Sequence, residues 1–385
     1  MGDAAVLGRA GENGVTVAIG RTIRDEFDWP LFIAVSTIAL FGVLNLYSAT
    51  EGGKTSDAYI QQLYWLVLGF GVAALTAAID YRHFERYGWL IYGACILALI
   101  LVFVLGKSVR GSTRWIALGG FSLQPSELMK IGLIIALAKY LHHDTKTGGR
   151  TLADLVIPGL ILALPMALVL LQPDLGTAMI LAFIFASIMM LTQLKLRSVV
   201  TLLATFVVAA PVTWFYLLKD YQKERITAFW DRLGGTQADL LDSGWHTHQS
   251  LVAIGSGGLT GKGFTQGTQT RFRFLPDQHT DFPFPVWAEE HGFIGALLLI
   301  CLYLFLVLWS LRVASQAKDR FGAVVAVGVG AMIFWQTVVN LGMVSGLLPV
   351  VGMTLPLFSY GGSSLLSTML GLGLLMNVSM RRFSH

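Results

Sequence analysis

The spacing of charged residues constrains the fold of this chain more than any other feature. A helix needs about 20 predominantly apolar residues to cross the hydrocarbon core of a membrane, and the chain has seven charge-free windows of that length. An eighth window, from Ser126 to Tyr140, carries a few charges, and the uncharged stretch between Arg320 and Arg381 has room for two helices. The seven windows lie between Asp28 and Glu51, Asp57 and Asp80, Arg86 and Lys107, Asp154 and Asp174, Asp174 and Lys195, Arg197 and Lys219, and Glu290 and Arg312.

The windows predict an all-α polytopic membrane protein with ten transmembrane helices. Composition agrees, since 55% of the residues are hydrophobic and 13% are charged, against about 25% charged residues in soluble proteins. The expected organisation is a single integral membrane domain over residues 1–385. Residues 1–28 lack the apolar core of a signal peptide, so we expect them to form a cytoplasmic N-terminal tail.

The distribution of Lys and Arg predicts the orientation of these helices. An even number of spans places both termini on one side, and short cytoplasmic loops carry an excess of basic residues. With the termini in the cytoplasm, the short outer loops hold only Lys54, Lys107, Arg110 and Arg114. We therefore expect a multi-pass membrane protein with both termini cytoplasmic. A large extracytoplasmic loop over residues 219–285 then joins helices 7 and 8.

Ionisable residues cluster where the fourth predicted helix begins at the outer side. Pro125 favours a helix start, and Glu127 and Lys130, three positions apart, share one helical face. A charge at the bilayer centre costs about 2.5 to 3.5 kcal/mol, so such residues pair or face a cavity. The two form either a self-satisfied ion pair that pins the helix or part of a polar outer-leaflet cavity with Arg114 at its rim.

Asp174 lies in the turn Gln172-Pro-Asp-Leu-Gly-Thr177, between the fifth and sixth predicted helices. Pro173 and Gly176 interrupt the helical pattern, and an Asp there is a favourable N-cap. A helix cap alone is one interpretation of Asp174. The other is a binding role beside the outer cavity, for a divalent metal ion or a cationic side chain.

Asp281 stands where the long polar segment runs back into the eighth predicted helix. It could act as an N-cap, with Glu289 and Glu290 favouring the positive end of the helix dipole. Pro283 and Pro285 separate Asp281 from the expected helix proper, so capping is not expected to be its whole role.

Two Gly-rich stretches resemble ligand-binding loops. Residues 254–263 resemble a phosphate-binding P-loop, but Ser256 stands at a required Gly and Gly263 at a required Ser or Thr. That mismatch argues against nucleotide binding and leaves a tight turn whose backbone could approach a partner closely. In the second stretch, Ser363 and Ser364 permit close helix packing, or offer hydroxyls and backbone N–H groups to an anionic head group.

Several motifs in chain order resemble those of the SEDS family of cell-wall proteins. The resemblance covers residues 29–381, and Gly267-Thr-Gln269 and Leu348-Pro-Val-Val-Gly352 favour its elongation branch over its division branch. The matching motifs are Arg114-Trp-Ile116, Gln124-Pro-Ser-Glu127, Gln172-Pro-Asp-Leu-Gly-Thr-Ala178, Tyr221-Gln-Lys-Glu-Arg-Ile226, His248-Gln-Ser250, Ala253-Ile-Gly-Ser-Gly-Gly-Leu259, Gly261-Lys-Gly263, Phe274-Leu-Pro276, His279-Thr-Asp-Phe282 and Ser359-Tyr-Gly-Gly-Ser-Ser364.

The resemblance implies a peptidoglycan glycosyltransferase that joins lipid II units into glycan strands at the outer face of the bacterial plasma (inner) membrane, for cell elongation and shape maintenance. It implies a class B penicillin-binding protein as partner, alongside other membrane proteins of the elongation machinery, and no nucleic acid. The family's catalytic Asp falls on Asp281, and its intramembrane polar residues fall on Arg114, Glu127, Lys130 and Asp174. Departures from the usual family residues are Pro283, Pro285 and His291.

The expected mechanism is one inverting displacement with Asp281 as general base. Arg114 and Lys130, or a divalent cation (Mg²⁺ or Mn²⁺) held by acids such as Asp174, would stabilise the departing pyrophosphate. Two alternatives stay open, a lipid II flippase and a non-catalytic scaffold for the penicillin-binding protein. A flippase needs polar groups through the whole bilayer depth, whereas the unusual ones here cluster near outer helix ends.

Overall fold

The computed structural model describes residues 27–50, 57–109, 112–118, 121–144, 146, 149–192, 220–233, 243–272, 274 and 278–382, with isolated positions between 194 and 215. Its α-helices in these ranges are α1 (Trp29–Thr50), α2 (Ala58–Ala78), α3 (Tyr81–Arg86), α4 (Gly88–Leu105), α5 (Pro125–His143), α6 (Val156–Leu171), α7 (Leu175–Met190), α8 (Asp220–Leu233), α9 (Ser243–Ser256), α10 (Thr268–Arg271), α11 (Pro283–Ser315), α12 (Arg320–Val344) and α13 (Gly362–Met380). The strands are β1 (Lys107–Val109), β2 (Ser112–Leu118) and β3 (Phe121–Leu123).

The helices follow the charge-free windows closely. Seven segments in the described ranges are long and apolar enough to cross a membrane, namely α1, α2, α4, α6 with the 3-10 turn before it, α11, α12 and α13. Helix α5, with its charges, and the shorter α7 coincide with two further windows. The window between Arg197 and Lys219 lies mostly outside the described residues. The multi-pass helical architecture is therefore confirmed, while the count of ten and the position of the large loop stay predictions.

The core of the protein is built around α12. This helix packs against α5, α7, α11 and α13. Within its apolar 18-residue segment, 72% is buried inside the protein, against 17% for the corresponding segment of α4. The central helices are therefore shielded by protein on most sides, while α4 presents most of its apolar surface outward. A polar group on α12 or α13 has to find its hydrogen-bond partner inside the protein, because hydrocarbon offers none.

A small antiparallel sheet lies between α4 and α5, where the sequence analysis assigned no strands. Its order is β1-β2-β3, with Lys107 opposite Trp115 and Ile116 opposite Leu123. The sheet carries Arg114 on its central strand and leads directly into the start of α5 at Pro125. It therefore brings Arg114 beside the charged first turns of α5.

Helix α11 is interrupted at Gly292, whose φ of 64° and ψ of −162° are not helical. The Gly-rich loop of residues 257–263 fills this break. Lys262 and Gly263 donate backbone N–H groups to the carbonyls of Glu289 and Glu290, and the N–H groups past the break donate back to loop carbonyls. The loop that resembles a P-loop therefore satisfies the backbone of a broken membrane helix, where unpaired polar groups would be costly.

Candidate functional site

Asp281 lies in a turn immediately before α11. The helix begins at Pro283, so the prediction that Pro283 and Pro285 separate Asp281 from the helix was wrong: both prolines belong to its first turn. Proline suits that turn because the first N–H groups of a helix have no partner within it. The N-cap is Phe282, which makes no side-chain capping bond, and so Asp281 is not the helix cap.

The carboxylate of Asp281 faces the link between α12 and α13. A Cβ built on Gly352 would lie 3.4 Å from Oδ2 of Asp281, and Gly352 has a φ of +71°. On the other side of this link, the backbone of Val351 approaches Gly176 of α7, where an added Cβ would lie 3.2 Å from the Val351 oxygen. Two adjacent residues of the link therefore approach Asp281 and the start of α7, the helix that Asp174 caps.

Glu289 and Glu290 do not act at the first turn of α11, as the dipole interpretation required. Glu289 is fully buried and accepts hydrogen bonds from Lys262 Nζ at 2.6 Å, Thr268 Oγ1 at 3.0 Å and Gln269 N at 3.1 Å. Glu290 accepts a hydrogen bond from Ser48 of α1. These acids hold the loop before α10 and helix α1 against the first part of α11.

A first polar cluster surrounds Asp174 at the start of α7. Asp174 caps this helix by accepting from the backbone N–H of Thr177, so the cap is present, although it is not the only role of this side chain. Its carboxylate also accepts from Gln124 Nε2 at 3.0 Å and lies 3.6 Å from a guanidinium nitrogen of Arg114. Arg114 donates further to the carbonyls of Gln172 and Pro173. The predicted cationic partner of Asp174 is thus Arg114, which keeps about a quarter of its side chain exposed.

A second polar cluster lies in the first turns of α5. Lys130 Nζ is 2.7 Å from Glu127 Oε2, and both side chains are buried. Ser367 of α13 donates to the same carboxylate oxygen at 3.1 Å. The predicted ion pair is therefore present and is tied to a neighbouring helix.

Ser363 and Ser364 lie at the start of α13 and make different contacts. Ser363 Oγ accepts from the backbone N–H of Gln124 at 3.1 Å and donates to the Ser122 carbonyl. Ser364 Oγ lies 2.9 Å from Thr354 Oγ1. Ser363 thus joins α13 to the Asp174 cluster through Gln124, and Ser364 joins it to the α12–α13 link.

The surroundings of Asp174 do not fit a divalent cation. Its described neighbours are hydrogen-bond donors, among them the Arg114 guanidinium, Gln124 Nε2 and Thr177 N. A cation needs lone pairs from several oxygen ligands, and a guanidinium would repel it. Asp174 is therefore not assigned as a cation ligand, and the divalent cation stays a prediction from the sequence.

The sequence analysis named Gln124 only within a motif and gave it no role, and it missed Asn45 and Asn340. Asn340 on α12 donates to the Asp281 carbonyl at 3.0 Å, and Asn45 on α1 donates to the Pro283 carbonyl at 3.0 Å. Counting only Asp, Glu, Lys and Arg hides such amides inside apolar windows. A search for Asn and Gln in predicted membrane helices would have found them, since buried polar residues there are costly and tend to be functional.

The chain is similar to known proteins over almost its whole length. A family model described as "Cell cycle protein", covering FtsW, RodA and SpoVE, matches residues 28–383. The peptidoglycan glycosyltransferase MrdB of Escherichia coli strain K12 is 36% identical over 360 residues, which cover 93% of this chain and 94% of that protein.

Two solved structures share the fold. One chain, from work on the structural coordination of polymerization and crosslinking by a peptidoglycan synthase complex, aligns with a TM-score of 0.79 and 35% identity over 93% of this chain and 99% of that one. The rod shape determining protein RodA of Thermus thermophilus aligns with a TM-score of 0.69 and 32% identity over 93% of this chain and 98% of that one.

Proposed function

This chain belongs to the FtsW/RodA/SpoVE family, and on that premise we propose that it is a RodA-type peptidoglycan glycosyltransferase that polymerises lipid II during cell elongation. The observation that carries the proposal is the placement of Asp281. Its carboxylate lies beside Gly352 of the α12–α13 link, and the adjacent Val351 approaches the start of α7, where Asp174 pairs with Arg114. A potential base and a cationic group thus converge on one region, as a transfer between two large substrates requires.

The proposed membrane arrangement has ten spans, with both termini in the cytoplasm and residues 219–285 on the outer side of the plasma membrane. The positive-inside distribution supports this orientation. The described helices that coincide with predicted windows support the spans. Asp281, Arg114 and Asp174 then lie together near the outer face, where lipid II units are joined.

The proposed reaction is a single inverting displacement. The acceptor sugar hydroxyl attacks the anomeric carbon of the donor and forms the new glycosidic bond. The bond between that carbon and the pyrophosphate oxygen breaks, and the lipid pyrophosphate leaves. Asp281 takes the hydroxyl proton, a contribution typically worth about 10²- to 10⁴-fold in rate.

Cationic side chains neutralise the leaving group in this proposal. The partly exposed Arg114 guanidinium can form bidentate hydrogen bonds to a phosphate, and Lys130 adds positive charge deeper in the same region. Ser363 and Ser364 at the start of α13 can add hydroxyl donors. Glu127 and Asp174 hold Lys130 and Arg114 in place through the contacts described above.

We also propose that a class B penicillin-binding protein is the partner of this chain, together with other membrane proteins of the elongation machinery. Support comes from the similarity to a chain of a peptidoglycan synthase complex that coordinates polymerization and crosslinking. A transpeptidase bound beside the outer face would receive each new glycan strand as it forms.

The test is polymerisation of purified lipid II by the purified protein, with its transpeptidase partner, in detergent. Asp281→Asn keeps the side-chain shape and removes the base, so we expect the rate to fall by about 10²- to 10⁴-fold. The matched control is Asp319→Asn, which changes the N-cap of α12 but keeps a residue that caps well. Near wild-type polymerisation by a folded Asp281→Asn protein would overturn the general-base role. Absence of polymer with the wild-type protein would favour the flippase or the scaffold, since detergent leaves no membrane to cross.

A further inference from the structure

The backbone around Asp281 is held at three alternate carbonyls by three separate parts of the protein. The backbone N–H of Tyr360 donates to the His279 carbonyl at 2.9 Å. Nδ2 of Asn340 donates to the Asp281 carbonyl at 3.0 Å, and Nδ2 of Asn45 donates to the Pro283 carbonyl at 3.0 Å. The segment that carries Asp281 is therefore fixed from α1, from α12 and from the link before α13.

The two asparagines are buried in membrane helices. Asn45 is 1% exposed and Asn340 is 0% exposed. Their partners are carbonyl oxygens, which can only accept, so each amide must turn its NH₂ group toward the Asp281 segment. Asn340 uses its second N–H in the same way, toward the Met353 carbonyl at 2.5 Å.

This orientation leaves each amide oxygen in an unfavourable place. Oδ1 of Asn45 and Oδ1 of Asn340 have no hydrogen-bond partner within the part of the chain that the structure describes. A buried acceptor without a partner is destabilising. Global stability alone is therefore a poor account of these two asparagines, and their donor groups point to a local purpose.

The two prolines reduce the number of N–H groups with which the first turn of α11 could contact the preceding segment. Pro283 and Pro285 carry no N–H, so two positions in the first turn of α11 cannot anchor the preceding segment as capping donors. Phe282, the N-cap, contributes no side-chain bond. The chain thus enters α11 without a side-chain cap, and the bonds to its carbonyls help to hold it in place.

We propose that Asn340 and Asn45 are positioning residues, which hold the Asp281 backbone so that the carboxylate meets the acceptor hydroxyl. The inference rests on the proposed function, because it assumes that Asp281 acts on the substrate. Neither asparagine touches the reacting atoms. Displacement of a catalytic group by about 1 Å can cost about 10²-fold in rate, so loss of either bond should act on turnover rather than on substrate binding.

A third buried asparagine provides a matched control. Asn377 on α13 is 0% exposed and also donates to two backbone carbonyls, those of Thr76 and Ile79 near the end of α2. It matches Asn340 in burial and in its two donor bonds, but its Oδ1 also accepts from Nε of Arg381 at 2.9 Å, and it holds a segment that does not contain Asp281. Replacing it removes at least as many bonds as replacing Asn340 does, without removing any bond to the Asp281 segment.

The experiment compares Asn340→Leu, Asn45→Leu and Asn377→Leu in the full-length protein with its transpeptidase partner. Leucine keeps a similar volume and removes the donor. For each variant, kcat and KM for lipid II polymerisation are measured per folded protein, and hydrogen exchange is followed by mass spectrometry in the peptide covering residues 278–284. For Asn340→Leu we expect kcat to fall about 10- to 100-fold at unchanged KM, with faster exchange in that peptide. We expect a smaller effect of the same kind for Asn45→Leu, which loses one bond instead of two.

The control should lose thermal stability as Asn340→Leu does, with unchanged kcat and unchanged exchange in the 278–284 peptide. The inference is overturned if Asn377→Leu lowers kcat as much as Asn340→Leu. It is also overturned if the Asn340 and Asn45 variants keep wild-type kcat while Asp281→Asn is inactive. An active Asp281→Asn protein would instead overturn the general-base proposal itself, so the two failures are distinguishable.

Discussion

At the scale of single residues, the buried pair of Lys130 and Glu127 can either pin helix α5 or take part in the reaction. Lys130 is 0% exposed. Among the acidic groups that the structure describes, its ammonium forms an ion pair with the Glu127 carboxylate. Removing one member of a buried pair leaves an uncompensated charge and costs about 3 to 5 kcal/mol. Replacing both members by apolar residues is often neutral in stability, which offers a way to separate pinning from function.

We predict that Lys130→Met alone lowers the unfolding temperature strongly, and that the double variant Glu127→Leu/Lys130→Met recovers most of the loss. The recovered protein should still be inactive, because in the proposed mechanism Lys130 contributes positive charge that stabilises the departing pyrophosphate. Thermal unfolding in detergent and lipid II polymerisation check the two parts. A double variant that is both stable and active would show that the pair only pins α5.

The same scale shows what the sequence revealed and what it hid. Glu127, Lys130 and Asp174 were found because charges in or beside apolar windows stand out against their neighbours. Asn45 and Asn340 were hidden because their hydrogen-bond acceptors are backbone carbonyls, which every residue carries. No residue type in the sequence marks which carbonyls an amide will meet.

At the scale of elements, the break in α11 and the Gly-rich loop that fills it form one unit. Gly261 has a φ of +83°, and a Cβ added there would lie 2.0 Å from the Glu290 carbonyl oxygen. Gly258 in the same loop has a φ of +56°, but an added Cβ would meet no atom within 4 Å among the described residues. The two glycines share a left-handed conformation and differ in how closely the helix approaches.

We predict that Gly261→Ala is much more harmful than Gly258→Ala. The Gly258 change should cost only the left-handed strain of about 1 to 2 kcal/mol, whereas the Gly261 change also forces the loop away from the helix break. Thermal unfolding and polymerisation by both variants test this, with Gly258→Ala as the strain control. Equal effects of the two substitutions would mean that the close packing of loop and helix contributes little.

At the scale of the whole molecule, the orientation in the membrane is open to direct measurement. Helix α11, Pro283–Ser315, separates the exposed Gln266 before it from the exposed Lys318 after it. The positive-inside distribution puts the segment before α11 outside and the segment after it in the cytoplasm. A reagent that cannot cross the membrane should therefore distinguish the two positions.

We predict that Gln266→Cys reacts with an impermeant maleimide in intact spheroplasts, and that Lys318→Cys reacts only after permeabilisation. The parent protein carries Cys95→Ala and Cys301→Ala, which removes both native thiols. Lipid II polymerisation by this cysteine-free parent checks that it is correctly folded. Labelling of both positions from the same side would contradict the proposed topology.

The sequence by itself determined where the described membrane helices run, and it offered the pairing of Glu127 with Lys130 and the capping role of Asp174 as interpretations that the structure then showed. Each of these depends on local physics: the cost of a charge in hydrocarbon, the spacing of one helical turn, or the unpaired N–H groups of a helix start. All involve residues close together in the chain.

Only the tertiary structure decided which helices meet and what they hold. The bonds from Asn340 to Asp281 and from Asn45 to Pro283 span 59 and 238 positions of the chain. The Gly-rich loop packs against a helix break that the sequence analysis did not predict. In a membrane the lipid-facing and protein-facing sides of a helix are both apolar. The hydrophobic pattern therefore carries little information about which side packs inward, and only the packing itself brings Asp281, its two asparagines and the Arg114–Asp174 cluster together.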